Sequence, residues 1–312
     1  MEVSTSTKIA GIQIASCIFN AAGPRCVTFE ELDSIAKSDS GAIMTKSCTL
    51  EPRTGNPEPR YFENSTGSIN SMGLPNLGYK KYAEFSANLK KYNKPYFVSV
   101  AGLTLDDNVE IVKYMSKFRG IDAIELNLSC PNIPGEPQVA YDFEAADKMI
   151  KAVLKVNKHV LGVKLPPYFD ASHFQHMASI LKKHKVDFVS CVNSIGEGII
   201  IDPEKEITVI KPKGGFGGIG GDYIKPTALA NTRKFYELLG GKIDIIGVGG
   251  IKSGTDAFEF ILAGASAVQI GTEFMRSGSK CFGRIDKELK DYMKKKGYSC
   301  LEDFKGKLKI IN

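Results

Sequence analysis

The stretch Leu126-Asn127-Leu128-Ser129-Cys130-Pro131-Asn132 places two amides and a thiol directly after an apolar run, 121–126. Side-chain amides both donate and accept, so two of them can orient a flat polar ring, and a thiol can act as nucleophile or proton acceptor. Taken alone, the stretch is equally compatible with a capped loop entry holding a structural cysteine. Residues of the same kind stand at the ends of other apolar runs: Lys46 after 42–45, Lys164 within 160–165, and Asn193-Ser194 after 188–192. Gly249-Gly250 and Gly271-Thr272 end two more. Glycines at such exits let backbone N–H groups approach an anion, and Ser253 or Thr255 would open the next helix at its positive end, a common phosphate site in barrels. The four histidines (159, 173, 176 and 184) lie in one segment away from these exits, so a Ser-His-Asp or Cys-His pair is hard to build. Cys130 is then the candidate proton acceptor. A free thiol of pKa about 8.5 is partly ionised at neutral pH, and neighbouring lysines lower that value. The lysines supply fixed positive charge where negative charge develops. This pattern suits removal of a proton beside a carbonyl, coupled to a cofactor that accepts a hydride.

Such exits require strands behind them. Apolar runs at 17–22, 42–45, 96–100, 123–128, 160–165, 188–192, 243–248 and 267–270 alternate with helix-period segments. Helices are expected at 28–37, with Thr28 as N-cap, and at 105–117, 143–156 and 172–183. Three more follow: one opened by Pro226, one from Ser253, and one at the C-terminus. Eight βα units without a linker predict an α/β chain folded as one (β/α)8 TIM barrel domain over 1–312, with a doubly wound sheet as the alternative. Active sites of such barrels lie at the C-terminal strand ends, where the residues above fall. Two long loops, 51–75 and 193–225, are rich in Pro, Gly and Asn and are expected to bind a ligand at that rim.

Composition excludes several classes. No run approaches the roughly 18 apolar residues of a membrane span, and the first ten residues lack a signal-peptide core. The seven cysteines show no metal-ligand or disulfide spacing, as expected of reduced thiols in the cytoplasm. The net charge of +6 is scattered in short lysine groups, which argues against a nucleic-acid stripe. Gly215-Phe-Gly-Gly-Ile-Gly220 matches GxGxxG but has no strand-to-helix frame, and His173 and His176 have no third ligand, so no metal is expected.

Longer motifs carry a resemblance. Thr45-Lys46-Ser47, Arg60-Tyr61, Gly67-Ser-Ile-Asn-Ser-Met-Gly-Leu-Pro-Asn76, Leu126 to Asn132, Gly162 to Asp170, Val192 to Gly196, Gly214 to Gly221, Ile224 to Asn231 and Gly271-Thr272 are similar to the dihydroorotate dehydrogenases. The match runs from about residue 8 to 310 and is closest to the soluble class 1A branch. The resemblance implies an FMN-dependent barrel that oxidises dihydroorotate to orotate in pyrimidine synthesis. It implies that Cys130 removes the C5 proton while the C6 hydride passes to flavin N5. Lys164 would stabilise the reduced flavin, and Lys46 would touch flavin and substrate. Asn70, Asn127, Asn132, Asn193 and Ser194 would bind the pyrimidine, with the Met72-Gly73-Leu74 backbone on its carboxylate. Ala22, Gly23, Lys46, Ser47, Asn127, Lys164, Val192, Gly221, Gly249, Gly250, Gly271 and Thr272 would hold FMN. It further implies a cytoplasmic homodimer whose flavin is reoxidised by fumarate, giving succinate, in a ping-pong cycle. Pro24-Arg25 and Val248 depart from the family pattern beside expected cofactor contacts.

Four rivals remain at this level. A class 1B enzyme would pass electrons to NAD through an iron–sulfur flavoprotein partner. The Lys-rich, Gly-rich loop 211–221 favours the fumarate branch. A tRNA dihydrouridine synthase-like flavoenzyme would need an RNA-binding extension. A Schiff-base aldolase would use Lys164 or Lys46, and a non-catalytic phosphate binder would not need Cys130.

Overall fold

The computed structural model describes residues 2–129 and 138–311. Two expected site residues, Cys130 and Asn132, lie outside the described residues. Eight parallel strands form the barrel: β1 (Ile18–Asn20), β2 (Ile43–Met44), β3 (Tyr96–Val100), β4 (Ala123–Asn127), β5 (Val160–Leu165), β6 (Phe188–Cys191), β7 (Asp244–Val248) and β8 (Ala267–Ile270). From β2 to β8 each strand pairs with the next in sequence, and β8 returns to pair with β1. The short β1 and β2 meet without a regular ladder. The Asn20 side chain takes the place of a missing backbone unit: its amide donates to Met44 O at 2.7 Å and accepts from Met44 N at 2.9 Å. An asparagine inside an apolar strand therefore helps to close the barrel.

Helices α1 (Phe29–Lys37), α2 (Tyr79–Leu89), α3 (Leu105–Met115), α4 (Phe143–Leu154), α5 (Ala171–His184), α6 (Lys225–Leu239), α7 (Gly254–Ala263), α8 (Thr272–Ser277) and α9 (Lys280–Lys296) surround it. Thr28, Thr104 and Ser253 start α1, α3 and α7 with reciprocal capping boxes to Glu31, Asp107 and Asp256, which satisfies orphan N–H groups at both positions. Inside the barrel the strands carry mostly apolar side chains, with Phe97 set between Phe19 and Phe188 at centroid distances of 5.8 and 6.0 Å. A hairpin, Thr7–Ile9 with Ile12–Ile14, lies at the N-terminal end, where Ala10 N donates to Asp244 at the start of β7.

Two features differ from the sequence expectation. Helix α2 follows the first long loop, burying Tyr79, Tyr82, Ala83, Ser86 and Leu89 at helical spacing. Its exposed Lys80, Lys81 and Glu84 dilute that period in the sequence. The two long loops are also not irregular. They supply Tyr61–Glu63, Gly67–Asn70, Ile195–Ile199 and Phe216–Gly221 to a four-stranded antiparallel sheet at the rim.

Candidate active site

The C-terminal ends of the strands and the rim sheet enclose a cavity of about 900 Å³. Every expected site residue among the described residues lines it. Ala22 and Gly23 follow β1, Lys46 and Ser47 follow β2, and Asn127 and Lys164 come from β4 and β5. Val192, Asn193 and Ser194 follow β6, Gly249 and Gly250 follow β7, and Gly271 and Thr272 follow β8. The rim contributes Asn70, Met72, Gly73, Leu74 and Gly221.

The amides form one hydrogen-bonded line across the cavity. Asn127 Nδ2 donates to Ser47 Oγ at 3.2 Å, and Ser47 Oγ lies 2.8 Å from Ser99 Oγ. On the other side, Ser129 donates through N and Oγ to Asn127 Oδ1 at 3.1 and 2.9 Å. Asn193 Nδ2 donates to Ser129 Oγ at 2.7 Å, while its Oδ1 accepts from Ser194 N at 2.8 Å. These bonds fix the amide planes before any ligand arrives, leaving other donor and acceptor positions for one. Asn70 reaches the group from above, donating to Gly218 O at 3.1 Å across the rim sheet.

The GxGxxG-like segment has a packing role here. It forms the strand Phe216–Gly221, paired with Gly67–Asn70 and Ile195–Ile199. A Cβ at Gly218 would stand 2.2 Å from Ser194 Oγ, so its absence lets Asn70 and Ser194 close on the same space.

The two lysines are held differently. Lys46 Nζ donates to Gly23 O at 2.8 Å, tying the β2 exit to the β1 exit. Nearby Cys26 is pushed up to about 12 by burial, against the opposing pull of the Lys46 charge, so it stays a neutral thiol. Lys164 sits at the cavity floor and donates to Gln269 Oε1 at 3.2 Å. Gln269 and a buried carboxylate, Glu125, also line the cavity, and neither was expected from the sequence. Glu125 interrupts an apolar strand at 0% exposure, which was the available signal.

The glycines separate into two kinds. Gly221 has φ 77° and ψ −150°, and a Cβ there would meet Gly67 Cα at 2.5 Å, so the fold itself requires glycine. At Gly23 and Gly271, neither with positive φ, a Cβ would meet nothing among the described residues within 4 Å. Both glycines face the cavity, and their missing side chains leave room for a ligand to lie against the backbone. Such open space, at the exits of β1 and β8, has room for a flat, phosphate-bearing group; at the exit of β7 a Cβ on Gly249 or Gly250 would meet Ala228 Cβ at 2.8 Å or Lys225 Cβ at 2.6 Å, so the fold itself requires glycine there. The start of α7 does not take part as expected. Asp256 accepts from Lys252 N and Ser253 N at 3.0 and 2.8 Å, and Glu288 accepts from Gly254 N at 2.8 Å. The protein's own carboxylates already occupy that positive end, and Ser253 and Thr255 do not line the cavity.

The histidines stay away from the site. His173 and His176 pack on Phe143 with ring centroids at 5.5 and 5.3 Å, and His184 pairs with Asp147 at 2.8 Å.

The chain is thus a (β/α)8 barrel with amides, lysines and glycine strand exits converging on one cavity at its C-terminal rim. The family model for dihydroorotate dehydrogenase matches residues 4–293. A dihydroorotate dehydrogenase (fumarate) of Kluyveromyces lactis is 52% identical over 317 residues, covering 100% of both chains. The enzyme of the same name from Saccharomyces cerevisiae is likewise 52% identical over 317 residues with full coverage of both. The crystal structure of DHODH from Eimeria tenella in complex with ferulenol superposes with a TM-score of 0.83 at 23% identity. It covers 97% of this chain and 88% of that one, a likeness of fold. The chain belongs to the dihydroorotate dehydrogenase family, in the class 1A branch that the fumarate-designated relatives define. The family is flavin-dependent. No helix among the described residues is long and apolar enough to cross a membrane.

Proposed function

We propose that this chain oxidises dihydroorotate to orotate with FMN as its cofactor and fumarate as the acceptor that restores the flavin. The observation that carries the reading is the convergence of Lys46, Asn70, Asn127, Lys164 and Asn193 on one cavity, in a chain 52% identical over its whole length to fumarate-type relatives. Asn127 and Asn193, fixed by Ser47, Ser129 and Ser194, orient the pyrimidine ring from both sides, with Asn70, Ser194 and Asn132 completing its polar edge. The Met72-Gly73-Leu74 backbone, left-handed at Gly73 and Leu74, holds the substrate carboxylate. Cys130 takes the C5 proton, a step with no histidine to compete for it at this rim. Lys164 and Lys46 supply positive charge at the floor and wall of the cavity where negative charge gathers. FMN, when bound against Gly23, Gly249, Gly250 and Gly271, supplies the hydride acceptor.

Orotate and fumarate are both planar, conjugated carboxylates, so the same amides and lysines can receive each in turn, as a ping-pong cycle requires. By family resemblance the protein is a single-domain homodimer of the cytoplasm. The experiment is anaerobic: the purified yellow protein is bleached with dihydroorotate, then mixed with fumarate or NAD. Recovery of colour with fumarate alone is expected. A colourless protein, or a bleached one that fumarate does not recolour, overturns the proposal; a chain that neither fumarate nor NAD recolours without an iron–sulfur flavoprotein partner points to a class 1B enzyme.

A further inference from the structure

Short lysine groups that lie apart in the sequence meet at one end of the barrel. Helices α2, α3, α4 and α5 end beside the N-terminal ends of β3 to β6, opposite the cavity. Backbone bonds fasten these ends: Asp122 N donates to Tyr96 O and Asp187 N to Leu161 O, both at 2.9 Å. Ser116 Oγ donates to Val156 O at 3.0 Å and accepts from Lys158 N at 3.1 Å, joining the α3 and α4 ends. The segments 90–94, 116–122, 155–159 and 182–187 carry ten lysines and arginines against two aspartates, so this arc alone exceeds the +6 of the whole chain. All of the ten but Lys94 are exposed. Helix dipoles favour cations at C-termini, but that does not account for the arc. Helices α6 and α7 end at the same side of the barrel with no basic residue in their last turns.

Nor does the fold neutralise this charge. Among the described residues only Lys183 of the ten pairs with a carboxylate, Asp147 at 2.8 Å. Elsewhere on the surface Lys81, Lys148, Lys287 and Lys290 each pair with an acid one helical turn away. The two aspartates of the arc each accept from a strand amide, Asp122 from Tyr96 N at 2.7 Å and Asp187 from Leu161 N at 2.8 Å. No large apolar side chain is exposed in these segments, so nothing there would enter a lipid bilayer. Tyr92 and Phe118 are half-buried, one under Lys91 and the other against Tyr114, and offer no stacking platform for unpaired bases. We propose that this arc binds the phosphate backbone of a double-stranded nucleic acid, without reading its sequence, while the cavity at the other end stays open. Neighbouring helices pack about 8–10 Å apart, so four ends cover about 30 Å. Phosphates recur about every 3.4 Å along one strand of a duplex, which places several within reach of the arc at once.

The test is fluorescence anisotropy of a labelled duplex, RNA in one arm and DNA of the same sequence in the other, titrated with the full chain. Each phosphate neutralised adds about 0.9 to the fall of log affinity with log salt, so about six contacts predict a loss of about 10³-fold between about 50 and 200 mM salt. The variant Arg119→Glu/Lys155→Glu/Lys182→Glu takes one cation from each of three neighbouring helix ends. It should bind more weakly, and with about three contacts left its loss over the same salt range should shrink to about 40-fold. The control Lys294→Glu/Lys295→Glu/Lys296→Glu makes the same change of charge on α9, which packs against α7 outside the arc, and should bind as the unaltered chain does. Binding of both duplexes, or of one alone, supports the inference and names the source of the phosphates. It is overturned by no duplex binding at about 50 mM salt, by a control that loses as much affinity as the arc variant, or by binding only to vesicles rich in phosphatidylglycerol. Should the arc variant fold poorly, Arg119→Gln/Lys155→Gln/Lys182→Gln decides by the same readout.

Discussion

The two kinds of cavity glycine give opposite predictions for the same substitution. In Gly221→Ala the new Cβ lies 2.5 Å from Gly67 Cα, at a backbone conformation of φ 77° and ψ −150°. That conformation costs an alanine about 1–3 kcal/mol, and forcing two backbones apart adds about 1–3 more. At about 2–4 °C per kcal/mol for a large domain, the melting temperature falls by roughly 4–24 °C. In Gly23→Ala the new methyl meets no described atom within 4 Å, so the ligand-free protein changes by only about 0.5 kcal/mol in either direction. The methyl instead enters the space assigned to FMN, where an extra methyl in a packed contact costs about 1–3 kcal/mol. Affinity for FMN then falls about 5- to 150-fold, at about 1.4 kcal/mol per tenfold. Thermal melts without added FMN, and fluorescence titration with it, separate the two effects. A Gly23→Ala protein that melts as low as Gly221→Ala, or binds FMN like the unaltered chain, would refute the reasoning that open space at a cavity glycine marks a ligand cradle.

Three further outcomes follow from the site and its supports. Cys130→Ala is expected to retain FMN but to slow anaerobic bleaching by dihydroorotate about 10²- to 10⁴-fold, and Cys130→Ser to keep residual activity at neutral pH. Unchanged bleaching in the alanine variant would remove Cys130 as the base. Asn193→Ala deletes the donor to Ser129 and one ring contact, so kcat/KM for dihydroorotate should drop by a factor of about 10–100 with FMN content unaltered. A steady-state comparison of the two proteins checks this. For Asp256, burial favours the neutral acid, but hydrogen bonds from Lys225, Ser253 and Lys252 outweigh it and hold the carboxyl below its ordinary 3.8. A lowered folded value means stabilisation that is complete above the ordinary value and disappears as the pH falls through the folded one. Asp256→Asn should therefore melt lower than the unaltered protein at pH 7, by a deficit of about 1 kcal/mol typical of a lost cap. The two melting temperatures should converge below pH 3.8, and a constant gap would contradict this.

Strand exits were the most legible part of the chain because a buried parallel strand reads as an apolar run and its end as a change of residue type. Lys46, Asn127, Lys164 and Asn193 all stood at such changes, and all line the cavity. The supports were less legible. Glu125 and Gln269 sit in the middle of apolar strands, where a single polar residue reads as noise unless its partner, 144 positions away, is known. Helix α2 was hidden by lysines on its outer face. The rim sheet left no period-two pattern because its strand Phe216–Gly221 consists largely of glycine, chosen for close approach rather than burial.

The start of α7 shows why motif chemistry needs its neighbours. Ser253 at a helix N-terminus beside two glycines is a fair signature of a phosphate site, and the helix does begin there. The same sequence also carries Asp256 three residues on, and α9 brings Glu288 alongside. Two carboxylates thus neutralise the positive end from within. What remains for a ligand anion is backbone at Gly249-Gly250 and Gly271-Thr272, lining the cavity without a Cβ at three of the four positions. A capping box and an anion site compete for the same N–H groups. Here the box occupies the helix end and stabilises the barrel wall, so the glycine exits alone are left to face the ligand.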